Sequence, residues 1–112
     1  MKRIEAIIRP TRVGKVCIAL EKAGYPGINF TQIESHVMQE GARYELRCKA
    51  YNVDLAFRAR VEVIVKDTEA AKIVKTVRDA AFTGGSGDGD IYIHAMEDVI
   101  KVSTGKSGDT GI

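Results

Sequence analysis

Between positions 83 and 90 the chain reads Thr-Gly-Gly-Ser-Gly-Asp-Gly-Asp. Glycines let successive backbone N–H groups turn inward and form an anion-binding nest, so this stretch is the strongest local signal for chemistry. It follows a helical pattern and precedes a strand pattern. P-loops and dinucleotide-binding turns both open a helix, so it is neither of these. Asp88 and Asp90 set fixed negative charge beside the nest and oppose dense phosphate. Taken alone, the loop is explained as well by a flexible helix-to-strand connector.

Other candidate motifs fail on spacing. Gly105-Lys106-Ser107 resembles the end of a Walker A loop, but position 100, where that motif needs glycine, is Ile100. Asp88-Gly89-Asp90 suggests a calcium loop, yet its third ligand position is Tyr92. His36 and His94 lie on different strands with no cysteine or carboxylate at ligand spacing, and surface histidines explain them better than a metal pair. No serine or cysteine stands in a nucleophile elbow beside a base. Cys48, in the segment without a period, is an oxidisable candidate, but no neighbouring residue proves a low pKa. Carboxylates such as Glu62 and Asp67 fall at solvent-facing strand and cap positions. An enzyme working through Cys48 or a histidine is the weakest of the readings, and turnover abolished by Cys48→Ala would revive it.

Composition bounds the remaining choices. The chain has 112 residues, enough for one domain with a modest core, and 45% hydrophobic residues, which excludes a disordered tail. A net charge of +2, with Lys and Arg interleaved among Asp and Glu, does not point to nucleic acid. Cys17 and Cys48 match no metal spacing and no disulfide framework, and read as free thiols in a reducing compartment. Glu5 interrupts the apolar start, so no signal-peptide core forms, and no apolar run approaches the roughly twenty residues of a membrane span. The expectation is a soluble, cytoplasmic protein.

The elements that must position the loop follow from periodicity. Residues 4–9 form a β-branched run stopped by Pro10, a strand. Thr11 can cap a helix with Val13, Val16, Cys17 and Leu20 on one face, which ends in Gly24-Tyr25-Pro26-Gly27. Residues 28–37 make a second strand. Arg58 to Val65, where Val61, Val63 and Val65 alternate with charge, is the clearest strand. Asp67 or Thr68 then caps a helix carrying Ile73, Val74, Val77 and Ala81. Residues 91–95 and, more briefly, 99–102 are strands, and 104–112 a polar tail.

Strand–helix–strand therefore occurs twice, the pattern of an α+β, ferredoxin-like βαββαβ sandwich in a single domain spanning 1–112. Helices cover one sheet face. The other would show apolar residues such as Ile7 and Ile64, and further copies of the chain are the simplest cover. Residues 38–54 lack any period. So long a connection between paired strands is functional or disordered, and Arg43, Tyr44, Arg47, Lys49 and Tyr51 suit it to docking on another surface.

Together these pieces resemble the PII signal-transduction family, in register from Met1 to Ile112. The resemblance is carried by Lys2-Arg3-Ile4-Glu5-Ala6-Ile7-Ile8-Arg9-Pro10 and by Tyr44-Glu45-Leu46-Arg47 leading to Tyr51, Val53 and Asp54. Val61-Glu62-Val63, Thr83-Gly84 with Gly87-Asp88-Gly89, Glu97-Asp98-Val99-Ile100 and Thr104-Gly105 complete it. Each fragment is weak alone, whereas their common spacing is specific. The resemblance implies a homotrimer of regulatory, non-enzymatic subunits with ATP or ADP in each intersubunit cleft, and in many members 2-oxoglutarate beside ATP and magnesium. It makes 38–54 the T-loop, an effector arm that docks on targets such as ammonium transporters, and 83–90 the B-loop, which cradles phosphates. It implies nucleotide contacts at Ile7, Gln39, Arg58, Glu62, Ile64, Gly87, Asp88, Gly89 and Lys101. Gln39 would also meet the nucleotide's magnesium, and Tyr51 holds the position that some members modify by uridylylation.

The departures concentrate where charge matters. Asp90 stands where the family has lysine, Ser103 where it has arginine, Met38 where arginine precedes Gln39, and Ser35 where glycine lies at the loop base. Arg58 replaces a lysine with a different fork geometry, Lys101 replaces an arginine, and Cys48 replaces the glycine after Arg47. At about one to three kcal/mol per charge-assisted bond, losing such partners weighs against tight ATP and against 2-oxoglutarate. ADP, AMP or a cyclic nucleotide fits better. The alternative is a divergent module that has left ATP and 2-oxoglutarate for another ligand, bicarbonate or a metal included.

Overall fold

Alternation decides the sheet. In β1 (Lys2–Ile8), Ile4, Ala6 and Ile8 are buried while Arg3, Glu5 and Ile7 point the other way. The computed structural model describes residues 1–38, 44–46, 49–51 and 53–108, with side chains for 1–34 and 57–108. Its elements run β1, α1 (Val13–Lys22), β2 (Asn29–Met38), β3 (Tyr44–Leu46), β4 (Lys49–Tyr51), β5 (Val53–Val65), α2 (Ala70–Ala81) and β6 (Gly89–Ala95). The main sheet has the order β2-β5-β1-β6, antiparallel throughout, with α1 and α2 packed together over one face. This is the expected ferredoxin-like βαββαβ sandwich, with the small β3–β4 hairpin inserted between β2 and β5.

The core is aliphatic. Ile4, Ile8, Ala59, Val61, Val63 and Val65 of the sheet meet Val16 and Leu20 of α1 and Ile73, Val77 and Ala81 of α2. Val16, Leu20 and Ile73 are wholly removed from water, and each such burial contributes about 1.5–3 kcal/mol.

Several expectations are corrected. Neither helix starts on a side-chain cap: Pro10–Arg12 and Asp67–Glu69 form single 3-10 turns that lead the chain into α1 and α2. Thr11 and Thr68 therefore cap nothing, and Asp67 instead accepts from the Met1 amino group at 2.8 Å. β5 begins at Val53, five residues before the alternating run at Arg58, because its backbone stays in register with β2 as far as Met38↔Val53. The sequence carries the same extension, since Val53, Leu55 and Phe57 keep the every-second-residue apolar phase of Ala59 and Val61. Residues 99–102 form no strand, only a bridge at Ile100↔Ser107. The tail is also folded back as far as Gly108, whose N–H donates to the Asp98 carboxylate at 2.8 Å.

The open sheet face is more charged than expected. Ile7 and Ile64 do lie on it, but among Arg3, Glu5, Arg60, Glu62 and His94. Arg60 Nε approaches Glu62 at 3.2 Å and His94 Nε2 approaches Glu5 at 3.4 Å. Neither pair is aligned as a hydrogen bond, and among the described residues those two nitrogens and Arg3 Nε are enclosed without an accepting partner.

Candidate functional site

The residues singled out in the sequence separate into two groups on the protomer. The first gathers where β1 ends and β6 begins. Gly89 pairs with Ile8, and its φ of +102° belongs to glycine's region. A Cβ there would stand 1.7 Å from the Ile7 carbonyl oxygen, so this glycine is required by backbone contact with β1. Ile7 lies opposite Arg60 and Asp90 in the register. Arg58, at the other side of the loop, sets its Nη2 at 3.3 Å from where a Gly87 Cβ would be.

Asp88 organises the loop itself. Its carboxylate accepts the N–H of Thr83 at 2.8 Å, the N–H of Gly84 at 3.0 Å and the Thr83 hydroxyl. Arg9 Nε adds a charge-assisted bond at 3.1 Å. Held first by Thr83 and then by Arg9 and Gly84, the carboxyl titrates well below the ordinary carboxylate range. The expected nest is therefore partly filled by the chain's own anion. Arg9 is the residue that sequence reasoning missed. The signal available was a cation at the end of a strand immediately before proline, but its loop partner is 79 positions away.

The second group lines a cavity of about 710 Å³, a size that accommodates a nucleotide. Glu62, Ile64 and Lys101 border it, with Asn29, Lys66 and the turn Gly24–Gly27. The turn is fastened by Tyr25, which is buried and donates its hydroxyl to Glu69. Glu62 is half-buried rather than freely solvated. Lys101 is placed by the folded tail, where its N–H donates to Lys106 O at 2.9 Å and its carbonyl accepts from Gly105 at 2.8 Å.

Arg58 and Glu62 lie on the same face of β5, about 14 Å apart at some 3.4 Å per residue. One protomer thus presents a glycine loop flanked by arginines and an open cavity at separate places. Gln39 and Cys48 lie outside the described residues. The Tyr51 backbone belongs to β4, but its side chain, like that of His36, also lies outside them. Cys17 is half-buried on α1, where burial pushes its thiol up. His94 faces Glu5 and joins no metal cluster among the described residues. Among those residues no helix is long and apolar enough to cross a membrane.

Comparison with known proteins gives one answer over nearly the whole length. The family model described as nitrogen regulatory protein P-II matches residues 1–106. Nitrogen regulatory protein P-II 2 of Methanothermobacter thermautotrophicus is 36% identical over 112 residues, covering 100% of this chain and 97% of that protein. Nitrogen regulatory protein P-II of Rhizobium meliloti is 38% identical over 108 residues, 96% of each chain. Nitrogen regulatory protein GlnK2 of Haloferax mediterranei is 38% identical over 108 residues, 96% of this chain and 88% of that one.

Proposed function

The chain belongs to the nitrogen regulatory protein P-II family, and we propose that it is a homotrimeric sensor of adenine nucleotide bound in the clefts between subunits. What supports this reading is the division of the site. The glycine loop at Gly87–Gly89, with Arg58 beside it, and the cavity bordered by Glu62, Ile64 and Lys101 sit apart on one protomer. Two subunits joined head to tail would bring one subunit's loop to the other's cavity, and with a three-fold rotation such an interface closes into a ring. The loop then receives phosphate through backbone N–H groups, with Arg58 as the near cation, and the cavity receives base and ribose. Magnesium would arrive on the phosphates, as it does where it lacks an all-protein cage, with Gln39 as its protein contact. The protein works in the cytoplasm, and occupancy sets the conformation of residues 38–54, which engage a partner such as an ammonium transporter.

The ligand is the less charged end of the adenine nucleotide series. Asp90 is exposed opposite Ile7 in the β1–β6 register, beside the loop, where it repels a third phosphate. Calorimetry with ATP, ADP, AMP and cyclic AMP tests both statements. Binding of ADP or AMP ahead of ATP, and a gain in ATP affinity in Asp90→Lys, is the expected result. No heat with any of the four removes the nucleotide reading and favours a module that has moved to another ligand, such as bicarbonate or a metal.

A further inference from the structure

Two arginines at the β1–α1 junction reach the far end of α2 and the loop beyond it. Arg12 donates from Nε to Ala80 O at 3.1 Å and from Nη2 to Phe82 O at 3.0 Å, which occupies carbonyls at the C-terminal end of α2. Arg9 donates to Asp88, the carboxylate that also gathers Thr83 and Gly84. The loop is thereby closed into a ring from 83 to 88. Among the described residues, Arg9 is the one group from another element bonded into it. A Cβ at Gly85 or Gly87 would stand 2.9 Å from Arg9 Nη2, so the guanidinium also packs beneath the ring.

We propose that Arg9 is a positioning residue of this loop: it acts through Asp88 to hold the ring before a ligand arrives, and does not itself pair with the ligand. The inference rests on the loop being the phosphate cradle. Among the described residues, the N–H groups of Ser86 and Gly87 are given no partner by the chain, and they are the donors left for an anion. Their relative placement is set by the ring that Asp88 closes. A glycine-rich segment released from that ring would lose more backbone freedom on binding, and affinity would fall by that amount.

The test is a cycle of full-length variants, Arg9→Gln, Asp88→Asn and the double change, read by ADP calorimetry and by amide hydrogen exchange in the ligand-free protein. Each single change should speed exchange at Thr83 and Gly84 and weaken ADP about tenfold, on the scale of one lost charge-assisted bond. The double variant should be no worse than either single one, because both break the same contact. Independent losses that multiply in the double variant would show that Arg9 meets the ligand directly and would overturn the proposal. So would unchanged exchange in Arg9→Gln. Failure of the unmodified protein to bind ADP would instead sink the nucleotide reading, and ligand-free exchange would still decide whether Arg9 holds the ring.

Discussion

At Gly89 the side chain is excluded by geometry alone, since a Cβ would fall within 1.7 Å of a β1 carbonyl while φ is +102°. Gly89→Ala should therefore cost at least about 2 kcal/mol in urea unfolding, with any change of ligand binding following from that loss. Asp88 carries a pH signature. Its native pKa is lowered, so its contribution to stability is fully present above the unfolded carboxylate value of about 3.9 and is lost as pH falls below it toward the native value. Urea midpoints taken from pH 7 down to pH 3 should show this loss, and Asp88→Asn should flatten it. The glycines were legible in the sequence as a loop that could meet an anion, and Asp88 as a charge opposing one. Their mutual arrangement was not, because the carboxylate turns inward to Thr83 and the cation beneath it comes from the opposite end of the chain.

Elements were legible where burial imposes a period. Val61, Val63 and Val65 alternate because every second side chain enters the core, and Ile73, Val77 and Ala81 recur as one buried helical face. What failed were features that backbone geometry settles without a side-chain pattern. Both helices are entered through 3-10 turns, so Thr68→Ala should change stability by less than about 0.5 kcal/mol, against about 1 kcal/mol for loss of a working cap. A larger loss in thermal or urea unfolding would contradict the observed helix entry. The extra length of β5 has another origin: Val53, Leu55 and Phe57 carry on the apolar phase of Ala59, Val61 and Val63, a signal that a strand start at Arg58 overlooks, and the ladder with β2 continues along them.

For the whole molecule, the sandwich and its layers followed from element order, while the character of the uncovered face did not. Strand alternation told which residues share that face, but not that Arg3, Arg60 and His94 would each enclose a nitrogen lacking a hydrogen-bond acceptor among the described residues. Such groups are stable when something else supplies the partner, and neighbouring subunits are the natural source. Sedimentation equilibrium at neutral pH should give three times the chain mass of 12.2 kDa, and a single-chain mass would remove the cleft-based site.

The ribbon formed by β2 and β5 has a mechanical meaning. Its pairing runs unbroken from Asn29↔Glu62 to Met38↔Val53, some 31 Å at about 3.4 Å per residue, within a molecule 56 Å long. At one end β5 supplies core residues and β2 forms the sheet edge beside it, and at the other end the same two strands are the stem of the β3–β4 segment. Such a stem behaves as a lever arm more than a tether: tilting its base by a few degrees sweeps its tip through ångströms. Arg58 sits near that fulcrum, beside the loop, where a small pull has the greatest reach.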